Sequence, residues 1–226
     1  WATDPEVRQI YRGDLTEVAS YLRSQGEGNF CLSAQFAADL DQEVLYFMLN
    51  KRPAMRWFNG QNSLVFPPEE ETTYIFPATG PLRKELQTRY FASLPAVHTG
   101  LDPRGEPAFV AYQWGPEDIA RLKDMEPQYP LGVNLEEKVE LLGYDLLSSP
   151  RAGEDLSLLL HWRVLEEVGG DRNYSFFLHL VDSQGYLWAQ TDSLGYPPSS
   201  WHKGDQVVEW FALSIPPDTP PREYEL

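Results

Sequence analysis

The sequence predicts a layered α/β domain over residues 1–128, followed by an antiparallel β-sandwich over residues 129–226. Three observations carry that prediction. Helical and strand periodicities alternate up to about residue 125. The stretch Glu126-Pro127-Gln128-Tyr129-Pro130 interrupts them. Beyond it only short strand-like runs follow, separated by turn residues.

The first helix is expected to start at Thr3 or Asp4 as cap, with Pro5 at the first helical position and Glu6 at the positive end of the dipole. Ile10, Tyr11, Leu15, Val18, Ala19 and Leu22 recur at three- and four-residue steps and form one apolar face, which Gly26 and Gly28 end. Phe30-Cys31-Leu32-Ser33 reads as a buried strand. A second helix follows from Asp39 to Asn50, with Leu40, Val44, Leu45, Met48 and Leu49 inward. Met55–Phe58 and Ser63–Phe66 flank Asn59-Gly60, the strongest short hairpin signal. Thr72–Phe76 is rich in β-branched and aromatic residues and reads as a strand. A helix from Pro81 through Phe91 and a strand from Phe109 to Trp114 complete an alternation of the Rossmann-like kind.

The second half offers the runs Val139–Leu147, Leu156–Leu165, Tyr174–Val181, Leu187–Asp192 and Val207–Ile215, with Tyr224 onward starting another. Pro150, Gly153, Gly169-Gly170-Asp171, Asp182-Ser183-Gln184-Gly185, Pro197-Pro198 and Pro216-Pro217 break them. Leu156, Leu158, Leu160, Trp162 and Val164 share one strand face, opposite Ser157, Leu159, His161 and Arg163. Val207, Glu209, Phe211, Leu213 and Ile215 alternate likewise against Val208, Trp210 and Ala212. The change of pattern predicts two separate cores, with a boundary between Asp124 and Val133.

Charge narrows the partners. Thirty-four acids against eighteen bases give a net charge of −16. Such a surface repels nucleic-acid phosphates and anionic lipid heads. Cys31 is the only cysteine, which leaves no intrachain disulfide and no cysteine-based zinc site. No stretch approaches the roughly 20 apolar residues of a spanning helix. The chain begins at Trp1 without methionine and stops at Tyr224-Glu225-Leu226, as a strand begins. Membrane or export segments are therefore expected outside it.

Motifs that carry chemistry are missing. The histidines, at positions 98, 161, 179 and 202, are far apart in sequence. His161 and His179 approach one another only if the strands around Gly169-Gly170 form a hairpin; otherwise they sit on an outer sheet face. No Gly-x-Ser-x-Gly elbow, Walker loop or Gly-x-Gly-x-x-Gly fingerprint occurs. Cys31 reads as a buried structural thiol. Asp39, Asp41 and Glu43 mark either the edge of a site at the carboxyl end of a sheet or a solvated helix start. Glu69-Glu70-Glu71 reads as a solvated loop. No catalytic residue, metal or cofactor is assigned.

Aromatic residues are the more suggestive signal. Trp162, Tyr186, Trp188, Tyr196, Trp201 and Trp210 all lie in the β half. Aromatic faces stack on sugar rings, with polar neighbours holding the hydroxyls. Trp162 alternates with leucines and reads as core. The candidate sugar-binding set is therefore Tyr186, Trp188, Gln190, Asp192, Tyr196 and Trp201. The alternative is that these aromatics fill the sandwich and the half serves as a spacer.

Several segments carry a family likeness. In the first half they are Tyr11-Arg12-Gly13-Asp14-Leu15, Tyr21-Leu22, Phe30-Cys31-Leu32-Ser33-Ala34, Arg56-Trp57-Phe58-Asn59-Gly60, Leu64-Val65-Phe66-Pro67 and Tyr74-Ile75-Phe76-Pro77. In the second they are Leu141-Leu142-Gly143-Tyr144-Asp145, His161-Trp162-Arg163-Val164, Phe177-Leu178-His179-Leu180, Ala189-Gln190-Thr191-Asp192, Trp201-x-x-Gly204 and Pro217-Asp218-Thr219-Pro220. Together they resemble the region after the last membrane helix of bacterial polytopic glycosyltransferases. Those enzymes are related to dolichyl-phosphate-mannose protein mannosyltransferases and lipid A aminoarabinose transferases. The resemblance implies a non-catalytic extracytoplasmic region, tethered to the membrane-embedded part of the same polypeptide and assisting acceptor or sugar recognition. In that family the donor is a polyprenyl-phosphate sugar and the catalytic acid lies in an early loop that has no counterpart here. A secreted carbohydrate-binding protein or glycosidase accessory module is the alternative expectation.

Overall fold

The structure, a computed structural model, describes the chain apart from residues 1–3, 5, 6, 8, 9, 36–39, 69, 70, 124, 125, 169–173 and 194. The expected caps and dipole partner at Thr3, Pro5 and Glu6 fall outside the described residues. So do Asp39, Glu69-Glu70, Asp124 and the turn Gly169-Gly170-Asp171. Among the described residues the protein is a β-rich α/β fold, with three sheets, thirteen strands and four α-helices.

Sheet 1 has the order β2-β1-β4-β6-β5. It is built from β1 (Phe30–Ser33), β2 (Met55–Phe58), β4 (Thr72–Pro77), β5 (His98–Leu101) and β6 (Pro107–Trp114). β1 is parallel to both β2 and β4, while β6 is antiparallel to β4 and β5. Helices α1 (Asp14–Gln25) and α2 (Leu40–Leu49) cover one face of this sheet. Leu15, Val18, Ala19 and Leu22 are buried along α1, as their spacing predicts. Ile10 and Tyr11 do not extend that face. Arg12 takes a left-handed φ of 53°, the helix restarts at Asp14, and both residues are left mostly exposed. In α2 the inward side is turned from the expected one. Asp41 is buried and Leu40 exposed, because Asp41 ion-pairs with Arg12 at 2.6 Å.

The predicted hairpin at Asn59-Gly60 does not form. A two-residue type I′ turn needs positive φ at both central residues, and neither Asn59 nor Gly60 has it. Instead the segment carries the chain from one sheet to another. β3 (Ser63–Phe66) pairs with β12 (Gln206–Ser214), from Ser63 opposite Glu209 to Phe66 opposite Gln206. Three bonds hold the crossing: Asn59 N to Gly195 O at 2.6 Å, Gly60 N to Ser33 Oγ at 3.1 Å, and Ser63 N to Asn59 O at 2.8 Å. A Cβ on Gly60 would meet Ser33 Oγ at 2.4 Å and Pro81 O at 3.2 Å, so any larger residue must displace the Ser33 hydroxyl that holds this turn.

Sheet 2 is antiparallel, in the order β3-β12-β9-β8-β7. Its other members are β7 (Tyr129–Leu135), β8 (Val139–Leu146) and β9 (Asp155–Val164). Sheet 3 has the order β11-β10-β13, from β10 (Phe176–Asp182), β11 (Leu187–Ser193) and β13 (Tyr224–Glu225). Helix α3 (Lys84–Tyr90) packs between sheets 1 and 2, with the Arg83 guanidinium 3.5 Å over the Trp210 ring. Helix α4 (Pro116–Lys123) follows β6 and adds Ile119 and Leu122 to the same cluster.

The expectation of two separate cores is therefore corrected. β3, from the first half, is hydrogen-bonded into the sheet of the second. One buried cluster joins Cys31, Phe58, Tyr74, Phe76 and Trp114 to Leu159, Trp162, Trp201 and Val208. For this reason β9 and β12 bury residues on both faces: one meets the first half and the other meets sheet 3.

Candidate functional site

The six residues of the expected sugar-binding set are not gathered. Tyr196 and Trp201 are 2% and 4% exposed and belong to the core, which corrects their assignment as stacking faces. The Tyr196 hydroxyl donates to Asp205 Oδ2 at 2.7 Å, and Trp201 Nε1 donates to the Tyr196 carbonyl at 3.0 Å. Trp201 also packs 5.2 Å from Trp162. Neither ring stands exposed as a stacking face. Trp188 is half-buried, donating Nε1 to Asp182 Oδ2 at 3.0 Å with Arg222 beside its ring. Tyr186 stands exposed, edge-on to it at 4.9 Å. Gln190 and Asp192 are exposed on β11, paired across the sheet with His179 and Phe177. Outside the core, Tyr186 and Trp188 are the pair in ring contact.

His161 and His179 do not meet either. β9 pairs with β8 and β12 in sheet 2, and β10 belongs to sheet 3, so no hairpin joins them. His161 instead faces Asp145 at 3.1 Å, and Asp145 also takes Arg89 at 2.5 Å and Gln128 N at 2.6 Å. Burial pushes the His161 imidazole below its usual range, further than Asp145 lifts it, so the ring favours the neutral form. Burial works against the Asp145 carboxylate, but the Gln128 amide, His161 and Arg89 outweigh it and hold its pKa low. This resembles the orienting half of an acid–base pair. It is enclosed between α3, β8 and β9, and its partners are all structural.

Two more buried carboxylates serve the junction. Asp205, fully buried, takes Arg56 Nε at 3.1 Å across the two halves, and burial raises its pKa more than Arg56 and Tyr196 lower it. Glu209 on β12 accepts from Ser193 Oγ at 2.6 Å, Gly195 N at 2.9 Å and Trp162 Nε1 at 3.2 Å. Burial raises its carboxyl as well. Of the acids read from sequence, Asp41 is tied to Arg12 and Glu43 to Arg52 at 2.7 Å on the surface. Cys31 is fully buried in β1.

A large concavity lies elsewhere. Sheet 3 covers sheet 2 unevenly: β11 lies against β12, whereas on the opposite side β13 contributes two residues. Leu156, Leu213 and Ile215 close onto Leu180 where the sheets meet. Away from that contact a cleft of about 620 Å³ opens. Leu131, Leu135, Leu141, Tyr144, Leu158 and Leu160 line it from sheet 2, and Phe176, Leu178 and Leu226 from the other side. Its size and apolar lining are those of a binding cleft. Leu131 and Leu226 are each about half exposed to water.

Sequence reasoning missed this feature because it began the strand pattern at Val139 and sought aromatic faces. The alternation Leu131, Val133, Leu135 in β7 was the available signal. No family model, curated protein or solved structure matches the chain.

Proposed function

We propose that the chain is a non-catalytic recognition module, the extracytoplasmic region of a polytopic glycosyltransferase that uses a polyprenyl-phosphate sugar donor. Its seat for a partner is the cleft between sheets 2 and 3. The cleft carries the reading: soluble monomeric surfaces seldom leave so much contiguous leucine and aromatic surface uncovered without a use for it. The family assignment rests on the segments that resemble those glycosyltransferases, from Tyr11-Arg12-Gly13 to Pro217-Asp218-Thr219-Pro220. On this reading the first half is a Rossmann-like layer and sheets 2 and 3 are a β-sandwich. The partners are the membrane-embedded part of the same polypeptide and a glycan acceptor. Sugar recognition by the module itself keeps Tyr186 and the edge of Trp188 alone, a surface suited to no more than weak contact.

The cleft is tested with an anilinonaphthalene sulfonate dye, whose emission rises in apolar surroundings. The dye should bind the wild-type chain, and Leu160→Arg should remove most of that signal while circular dichroism is unchanged. A signal indifferent to Leu160→Arg would show that the dye reports another surface and would overturn the assignment.

A further inference from the structure

A second pocket, of about 150 Å³, opens where the ends of α3 and β6 meet α4. It shares no lining residue with the cleft. Arg89 and Tyr90 line it from α3, Trp114 from the end of β6, Asp118 and Arg121 from α4, and Ser93 from the turn after α3. The Tyr90 hydroxyl and the Trp114 indole N–H are buried, and neither has a hydrogen-bond partner among the described residues. Their side chains are 4% and 3% exposed. A buried polar group left unpaired by the chain calls for a partner from outside it. That partner must accept. An indole N–H can only donate, and burial pushes the Tyr90 hydroxyl up, which keeps its proton in place.

Charge points the same way. The lining holds two guanidiniums against one carboxylate, a local surplus of positive charge in a chain of net charge −16. The carboxylate is engaged at both oxygens: Asp118 accepts from Arg121 and, at 3.0 Å, from Gly115 N. Arg121 also donates to Ser93 Oγ at 3.1 Å, and Arg89 pairs at 2.5 Å with Asp145, which lies outside the lining. A guanidinium carries five N–H donors, more than these contacts use. A metal cation would meet like charge here, and an apolar fragment would leave both buried donors unpaired. At about 30 Å³ per water the pocket has room for about five water-sized groups. Inorganic phosphate has that many heavy atoms.

We propose that this pocket binds a phosphate-sized oxyanion, either the free ion or the head of a phosphomonoester. Arg89 and Arg121 supply charge-assisted bonds, and Trp114 Nε1 and the Tyr90 hydroxyl donate from the buried side. Phosphate oxygens point in four directions, which suits donors drawn from three elements. Asp118 and Asp145 already draw on the guanidiniums, so binding is weak and falls with added salt. The inference does not rest on the reading of the cleft.

The test is a titration of inorganic phosphate into the ¹⁵N-labelled chain, with ionic strength held constant by chloride. Seven tryptophans give seven indole resonances, and that of Trp114 is assigned through its backbone. It should shift saturably with phosphate while the others stay in place. Arg121→Gln, at an exposed position, should raise the midpoint about tenfold. Tyr90→Phe removes the hydroxyl alone and should raise the midpoint several-fold, with the urea midpoint in the absence of phosphate unchanged or higher. Glycerol phosphate separates the sources: an equal shift shows that an ester head enters, and no shift confines the site to the free ion. A Trp114 resonance that ignores phosphate, or that follows chloride equally, overturns the inference and leaves water as the partner of both donors. A phosphate shift that neither Arg121→Gln nor Tyr90→Phe weakens overturns it as well.

Discussion

The face of sheet 2 that meets the first half and the face that meets sheet 3 are built from the same strands, yet only the first is closed. On the closed side, Leu159, Val208 and Trp210 meet sheet 1 and α3, and the buried ions have partners at hydrogen-bond distance. On the open side, leucines of comparable size end at a water-accessible cleft. The difference teaches that apolar alternation along a strand identifies a face that seeks cover, without saying whether this chain supplies the cover.

The comparison is broken most forcefully at the junction. Replacing Asp205 by alanine leaves Arg56 buried without its carboxylate, and loss of one partner of a buried pair costs about 3–5 kcal/mol. Urea unfolding should show that loss in a single transition followed alike by far-ultraviolet dichroism and tryptophan fluorescence. Two transitions, with only one displaced, would mean that the halves are independent after all.

A smaller effect sharpens the comparison along β9, where neighbours point to opposite faces. Leu159→Ala on the closed side should cost about 2–5 kcal/mol, as large-to-small changes in a packed core do. Leu160→Ala, on the cleft, should cost less than about 1 kcal/mol, since its side chain is only partly covered. Equal losses would show that the cleft is as tightly packed as the junction.

The smallest expected effect is the response to pH. Burial lowers the folded pKa of His161 below its unfolded value, so the unfolded chain takes up the proton first. The stability tied to this group is complete above about pH 6.5 and is lost as pH falls through the folded pKa. His161→Asn should flatten that decline in urea midpoints between pH 8 and 5. Asp145, held low, stays charged through this range, and Tyr90, pushed up by burial, stays neutral. Asp205 and Glu209 carry raised pKa values and act in the opposite sense: what they contribute is complete below their unfolded pKa and fades as pH rises through the folded one.

Local signals were the legible ones. The inward face of α1 and the strands β1, β4, β8, β9, β11 and β12 follow from periodicity, because each side chain answers to its immediate layer. What failed was pairing. Asn59-Gly60 suits a hairpin, but β3 bonds to a strand some 140 residues on, and nothing within β3 encodes that choice. Strand β7 went unread although Leu131, Val133 and Leu135 alternate along it, since it lies at a sheet edge and is exposed at every position; β5 is four residues long and exposed at all but Gly100. Of the proposed site, Tyr196 and Trp201 drew attention as loop aromatics. Their polar atoms are consumed by Asp205 and the Tyr196 carbonyl, contacts that exist only once β12 has packed.

The passage of β3 into sheet 2 also sets an order of events at the ribosome. At roughly 5–20 residues per second, β3 waits on the order of ten seconds before β12 has been synthesised. Throughout that interval Ser63–Phe66, all buried in the finished protein, has no strand to bind. Sheet 1 draws all its strands from the first half, so it is β3 and the junction that wait for the far end of the chain. By the same logic, cleaving the chain near Pro127 would yield two fragments that need each other to fold, each acting as the template on which the other completes itself.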